Sequence, residues 1–263
     1  MITSTTNKKV KQLVALSQKS KARREADSFI VEGSKMFLEA PKSWIKEVYI
    51  SESFEKKCSF LDTLKEIGYE TVSDEVFQKI SDTKTPQGIL SVLKQPHYTM
   101  ETLLKKETPL LVVLEDIQDP GNLGTIFRAG EGAGIDGVIM TKETADLFNP
   151  KVIRSTMGSI YRVPYLYTDN LQETLQLLHQ KGVATYAAHL EDSVCYDEPD
   201  YKRATAFLIG NEGNGLKRET ADAATQYIKI PMLGQVESLN AAVATAVLMY
   251  EAAKQRRKYE KNF

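Results

Sequence analysis

The chain of 263 residues has only two cysteines, Cys58 and Cys195, far apart and at no metal or redox spacing. That argues against a disulfide framework and for a cytoplasmic protein. Its three histidines, His97, His179 and His189, are scattered, so no metal motif is formed along the sequence. Long apolar runs are missing: none approaches the roughly 20 residues of a membrane span. The start, Met1-Ile-Thr-Ser-Thr-Thr-Asn-Lys-Lys, lacks the apolar core of a signal peptide. There is no G-x-x-x-x-G-K phosphate loop and no G-x-S-x-G nucleophile elbow. A charge excess is also missing, the formal net charge being −1.

That small net charge hides an uneven distribution. Residues 1–24 carry Lys8, Lys9, Lys11, Lys19, Lys21, Arg23 and Arg24, with no acidic residue before Glu25. A basic arm on a near-neutral protein suggests a phosphate-rich partner. The plainer reading is a solvated terminus, and charge alone does not choose between them.

The pattern predicts an α/β chain in two parts. In residues 1–96 it gives a helix over 3–20, a strand over 28–31, a helix over 33–40 stopped by Pro41 and a strand over 44–50. A helix over 54–67 then ends at Gly68, and a strand closes the part over 88–93. Residues 97–108 read as a linker around a short helix. The second part, 109–263, begins with Leu110-Leu-Val-Val-Leu114, a continuous apolar run typical of a buried parallel strand. Helices over 122–132, 149–157, 170–180, 217–223 and 238–258 alternate with strands over 137–140, 163–167, 183–189, 205–209 and 226–230. That order predicts a mostly parallel sheet.

Gly132-Ala-Gly134-Ile-Asp-Gly137 matches the dinucleotide pattern G-x-G-x-x-G, but it follows a helix and enters a strand, the reverse of the order that pattern needs. It reads as a helix cap and a tight turn. Three other stretches are more informative: 119–128 (Asp-Pro-Gly-Asn-Leu-Gly-Thr-Ile-Phe-Arg), 207–216 (Phe-Leu-Ile-Gly-Asn-Glu-Gly-Asn-Gly-Leu) and 228–240 (Ile-Lys-Ile-Pro-Met-Leu-Gly-Gln-Val-Glu-Ser-Leu-Asn). Each leaves an apolar, strand-like run and breaks into Gly, Pro, Asn and Ser. Such turns let a ligand approach the backbone, so three of them predict a composite ligand site.

Each key residue also has a plain structural reading. Asn122 suits a helix N-cap. Arg128, six residues on, could form a surface ion pair with Glu131 or Glu115. Glu212, between glycines, could be a solvated carboxylate on a turn. Ser238 could cap the last helix, whose free amides would equally suit an anionic group.

In order and spacing, the three stretches together resemble the signature motifs of the SpoU/TrmH branch of the SPOUT methyltransferases. The first reads Asn122-Leu-Gly124-Thr-Ile-Phe-Arg128, the second Gly210-Asn-Glu212-Gly213, and the third Ile230-Pro-Met232 followed by Ser238-Leu-Asn240. The match spans about residues 109–258. The first 96 residues are similar to the small α/β RNA substrate-binding domain that many of these enzymes carry, related to RNA-binding ribosomal proteins. The echo lies in Lys21-Ala-Arg-Arg, Phe29-Ile-Val-Glu-Gly33 and Thr85-Pro-Gln-Gly88.

This resemblance implies a SPOUT-type parallel sheet with a deep trefoil knot in 109–263, bound S-adenosylmethionine and a homodimer. It also implies methylation of an RNA ribose 2′-hydroxyl, with ribosomal RNA before transfer RNA as substrate. The cofactor pocket falls on Gly210, Ile230, Met232 and Leu239, where Gly210 would leave room for the cofactor against the chain. The catalytic set falls on Asn122, Arg128, Glu212, Ser238 and Asn240. Arg128 is either a general base or an electrostatic stabiliser, and Glu212 orients the loops and Arg128. Lys8, Lys9, Lys21, Arg23 and Arg24 would contact RNA phosphates. The competing readings are a non-catalytic RNA-binding or ribosome-assembly factor of the same fold and, on the Gly132–Gly137 match, a dinucleotide-dependent oxidoreductase.

Overall fold

The structure, a computed structural model, describes residues 1–189 and 192–260. In chain order the elements are α1 (Lys8–Gln18), α2 (Ser20–Ala26), β1 (Ser28–Glu32), α3 (Ser34–Glu39), β2 (Ile45–Ser51), α4 (Glu52–Glu55), α5 (Leu61–Ile67), β3 (Glu70–Val72), α6 (Asp74–Ile80) and β4 (Ile89–Lys94). They continue with α7 (Met100–Leu103), β5 (Leu110–Leu114), α8 (Pro120–Ala133), β6 (Gly137–Thr141), α9 (Pro150–Thr156), β7 (Tyr165–Thr168), α10 (Leu171–Gln180), β8 (Ala184–Ala188), β9 (Val194–Cys195), β10 (Thr205–Ile209), α11 (Arg218–Asp222), β11 (Gln226–Lys229) and α12 (Ala241–Glu260). No described helix is long and apolar enough to cross a membrane.

The chain divides into two compact units. The first holds Met1–Pro96 and Asp146–Tyr161. Its four strands run in the order β1-β4-β2-β3. The period-two alternation of a strand puts neighbouring residues on opposite faces. Tyr49 therefore joins Val10, Leu13 and Leu16 of α1 with Phe77 and Ile80 of α6. Val48 and Ile50 join Phe37 and Leu64 on the other face. The helix expected over 54–67 is two short helices, α4 and α5, and the one expected over 3–20 is α1 alone, ended by extended Lys19 before α2 begins.

Residues 146–161, which the expected division kept with 109–263, pack within this first unit. Their apolar side chains Val152 and Ile153 are buried, and the Phe148 ring lies 4.6 Å from that of Phe29 in β1. Arg23 corrects an expectation. It is 2% exposed, and its guanidinium makes two bonds to Asp146 Oδ2, from Nε at 2.9 Å and from Nη2 at 2.6 Å. Nη1 donates to the carbonyls of Leu16 and Ser17 at 2.7 and 3.0 Å. Those carbonyls end α1 and have no intrahelical partner of their own. Arg23 thus closes a helix terminus and is not free to meet RNA. Arg23→Met is expected to cost about 2–3 kcal/mol in urea unfolding, because it strands a carboxylate and two carbonyls. Arg24→Ala, at an exposed position, is expected to cost almost nothing.

The second unit holds His97–Ala145 and Arg162–Phe263. Its seven strands follow the order β7-β6-β5-β10-β8-β11-β9, and every neighbouring pair is parallel. All five residues of β5 are buried, as a central parallel strand requires. In open parallel sheets, ligands gather outside the carboxyl ends of the strands. The exits of β5, β10 and β11 carry the three Gly-rich stretches. At Gly132–Gly137 the structure shows a cap and turn: Gly134 is left-handed (φ 77°) and ends α8, and β6 starts at Gly137.

Candidate active site

Strand β5 is followed by Glu115 and Asp116, and the chain then turns into α8. Asp119, not Asn122, caps that helix: its side chain accepts from the Asn122 amide at 2.8 Å, and Pro120 takes the first turn. Asn122 sits inside the first turn, and its side chain is released for other work. On α8 the buried residues are Leu123, Gly124, Ile126, Phe127 and Gly130. Arg128 therefore falls on the exposed side, with Gly121, Thr125 and Gly132. Neither partner expected for a surface ion pair is available to it. Glu131 pairs with Arg162, and Glu115 is buried, accepting from Thr220 Oγ1 and the Lys217 amide. Arg128 makes no ion pair or side-chain hydrogen bond among the described residues.

Strand β10 lies beside β5 in register, Ile209 opposite Leu114, so Gly210 leaves the sheet next to Glu115. A tight turn follows, closed by the Asn211 and Gly215 backbones at 3.0 and 2.9 Å. A Cβ on Gly210 would fall on the Gly215 carbonyl carbon and the Leu216 nitrogen. Gly210 is therefore needed by the chain's own packing, and the expectation that it leaves room for a cofactor is corrected.

Strand β11 runs into an irregular segment, and α12 begins at Ala241 rather than at 238. Asn240 caps it, its Oδ1 accepting from Ala242 N at 2.9 Å and Val243 N at 3.3 Å. Ser238 is exposed and makes no hydrogen bond among the described residues, so the cap expected of it belongs to Asn240.

Three of the five expected catalytic residues form one chain of hydrogen bonds. Glu212 accepts from Gln118 N at 3.0 Å, Asp119 N at 2.9 Å and Asn122 Nδ2 at 3.0 Å. Asn122 Oδ1 accepts from Asn240 Nδ2 at 2.9 Å. The polarity is forced throughout. A carboxylate only accepts, so Asn122 must turn its amino group to Glu212 and its carbonyl to Asn240. Asn240 is left with its carbonyl for the helix amides. This chain ties together all three stretches, which lie up to 118 residues apart. Glu212 thus bonds to the loop that carries Gln118 and Asp119, and it makes no hydrogen bond or ion pair with Arg128 among the described residues. Burial alone would raise the Glu212 carboxyl, but the donors from Gln118, Asn122 and Asp119 outweigh it and hold it below its ordinary 4.5. The stability it contributes is therefore full above 4.5 and lost as pH falls through the lowered value. Glu212→Gln is expected to flatten that part of the pH–stability curve in urea titrations, while leaving the curve's shape above pH 6 unchanged within error.

Beside this chain lies a cavity of about 540 Å³, a size suited to a small-molecule cofactor. Gly210, Ile230, Met232 and Leu239 all line it, with Glu212 and Ser238. Arg128, Asn122 and Asn240 do not line it. Sequence reasoning missed Ala188 at the end of β8, His189 just beyond it, and Ala244 and Leu248 on α12, which also line it. Their one signal was position, at a strand exit or on the small-residue face of the last helix. Lys8, Lys9, Lys21 and Arg24 are exposed on the first unit; Lys9 pairs with Glu70 at 2.7 Å and Lys21 with Glu25 at 3.7 Å. The described residues hold no cluster of metal ligands.

A parallel sheet with three hydrogen-bonded loops at its carboxyl edge defines a SPOUT-type methyltransferase unit, and the chain belongs to the SpoU/TrmH family. The SpoU rRNA methylase family model matches residues 109–250, and an MRM3-like substrate binding domain matches residues 7–91. Among its relatives is 23S rRNA (guanosine(2553)-2′-O)-methyltransferase RlmP of Bacillus subtilis, 34% identical over 95% of this chain and 97% of that protein. The AdoMet-bound rRNA methyltransferase from Sinorhizobium meliloti superposes with a TM-score of 0.86 at 34% identity, covering 96% and 97% of the two chains. The SpoU methyltransferase AviRb from Streptomyces viridochromogenes, in complex with AdoMet, gives 0.87 at 25% identity, covering 95% and 98%.

Proposed function

We propose that large-subunit ribosomal RNA is the substrate of this chain, an S-adenosylmethionine-dependent RNA ribose 2′-O-methyltransferase. The observation that carries the reading is the bonded chain Asn240–Asn122–Glu212, which ties the first stretch to the two others, whose residues 210–216 and 228–239 supply walls of the 540 Å³ cavity. The match to RlmP along nearly the whole chain supports ribosomal RNA, and the AdoMet in two full-length structural neighbours supports the cofactor.

The cavity fits that cofactor. Ile230, Met232 and Leu239 offer an apolar bed for an adenine ring, and the turn 210–216 offers backbone polar groups. When bound, S-adenosylmethionine supplies a methyl group activated by its positive sulfur. The residues of this chain must then align the ribose hydroxyl and ease the loss of its proton. Arg128 holds the neighbouring phosphate and stabilises charge growing on the ribose oxygen. It does not act as the base, since a guanidinium stays protonated. The proton passes to an RNA phosphate or to water. Lys8, Lys9, Lys21 and Arg24 supply salt-sensitive phosphate contacts. The reading includes a homodimer: Val243 and Tyr250, one heptad apart on α12, are 49% and 47% exposed, an apolar stripe that a second copy would cover.

A non-catalytic RNA-binding factor would have no use for the cavity or for a forced amide relay beside it. The test is methyl transfer from labelled S-adenosylmethionine to deproteinised ribosomal and transfer RNA, followed by mapping of ribose methylation. Label confined to one 2′-O position of large-subunit RNA is expected. Label in transfer RNA alone, or none, would refute the proposal.

A further inference from the structure

One group of charged side chains lies behind the cavity and outside the expected catalytic set. Asp116 has φ 59°, a left-handed conformation that glycine adopts freely and most residues avoid. Its side chain makes two contacts that glycine could not. Oδ1 accepts from Thr141 Oγ1 at 2.8 Å, and Oδ2 pairs with Lys217 Nζ at 2.9 Å. The Asp116 amide in turn donates to Thr141 Oγ1 at 2.9 Å, which locks the residue to β6.

From this anchored position the end of β5 grips both ends of the Gly-rich turn. At the near end, Asn211 Nδ2 donates to the Asp116 carbonyl at 2.8 Å, while Asn211 Oδ1 accepts from Gly213 N and Asn214 N at 2.9 and 3.1 Å. At the far end, the Lys217 amide donates to Glu115 Oε2 at 2.8 Å, and the Lys217 ammonium reaches Asp116. Glu115 is 3% exposed and holds its other oxygen to Thr220 Oγ1 at 2.7 Å. The parallel register of β5 and β10 puts these two residues beside the start of the turn. Between the two grips, residues 211–216 form one wall of the cavity.

We propose that Glu115 and Asp116, through Asn211 and Lys217, are positioning residues that preshape this wall and so set the affinity for the methyl donor rather than the rate of the chemical step. This rests on the reading of the cavity as the donor site. The turn carries three glycines within 210–215, whose freedom is costly to freeze when a ligand arrives. A turn frozen beforehand removes that cost from binding.

The test is calorimetry of the full chain with S-adenosylmethionine, together with steady-state methyl transfer. Lys217→Met and Asp116→Asn are expected to weaken donor binding about tenfold, the scale of one charge-assisted hydrogen bond. Turnover at saturating donor is expected to stay within about twofold, so the change falls on KM and not on kcat. Lys217→Arg, which keeps the charge, is expected to restore most of the affinity. Should Asp116→Asn fail to fold, Asp116→Gly removes the carboxylate while relaxing the left-handed backbone, and the same loss is expected. Unchanged affinity in these variants, or a fall in kcat at constant KM, overturns the inference while leaving the donor site intact. A wild-type chain that binds no donor overturns both.

Discussion

Replacing Arg128 by alanine is expected to lower methyl transfer about 10²–10³-fold, the usual consequence of removing one group that stabilises developing negative charge. Donor affinity is expected to stay within about twofold, because Arg128 does not line the cavity. The fold is expected to tolerate the change, since Arg128 is exposed and carries no ion pair or side-chain hydrogen bond among the described residues. Arg128→Lys is expected to recover only part of the activity, because an ammonium keeps the charge but not the planar fork that fits a phosphate. Single-turnover transfer to ribosomal RNA and calorimetry with S-adenosylmethionine check the two halves separately. Undiminished turnover would remove Arg128 from the mechanism, and lost donor binding would place it in the cavity wall instead.

The role of Arg128 is sharpened by what its neighbours in the motifs are already doing. Glu212 is the one carboxylate of the expected catalytic set, and three N–H groups point at it. Those donors lower its proton affinity, so it is a poor base. Asn122 is committed at both ends, to Glu212 and to Asn240, and Asn240 is committed to Asn122 and to the start of α12. These residues hold the loops in place. Of the expected set, Arg128 and Ser238 alone have side chains left over for substrate or cofactor. Proton removal then falls to the RNA itself or to solvent, and the cationic side chain supplies the field in which that proton is lost.

Much of the architecture was legible because it rests on local pattern. The unbroken apolar run of β5 announces a buried parallel strand, and the reversed order around Gly132–Gly137 announces a cap. What was not legible depends on partners far away in the chain. Arg23 reads as one more charge in a basic arm until Asp146, 123 residues on, turns it into a buried clasp. Ser238 and Asn240 are both good caps by residue type, and only the start of α12 at Ala241 decides between them. The same holds for Asp119 and Asn122 at α8. Asp116 gives no local hint of a left-handed backbone, since its conformation is fixed by Thr141, Asn211 and Lys217 together. The role of Arg128 came from family likeness alone, for its spacing is that of any surface arginine.

Gly210→Ala is expected to abolish detectable donor binding, a loss of at least about 10²-fold, through backbone displacement rather than any lost contact with the cofactor. The added Cβ would overlap the carbonyl carbon of Gly215 and the nitrogen of Leu216, and main-chain atoms cannot rotate aside as a side-chain tip can. The turn must therefore open, and opening it pulls Glu212 away from Gln118 and Asp119. The bonded chain of the three loops breaks with it. Gly213→Ala is the matched control. Its nearest neighbour would be Asn211 Oδ1 at 3.5 Å, an ordinary contact, so binding is expected to survive. Urea unfolding of both variants separates the two causes. The first is expected to lose about 1–3 kcal/mol, too little to unfold a domain of ordinary stability, so its binding defect must come from the deformed wall. Normal donor binding by the Gly210 variant would mean that the turn 210–216 is not the wall of the donor site, and the assignment of the cavity would fall with it.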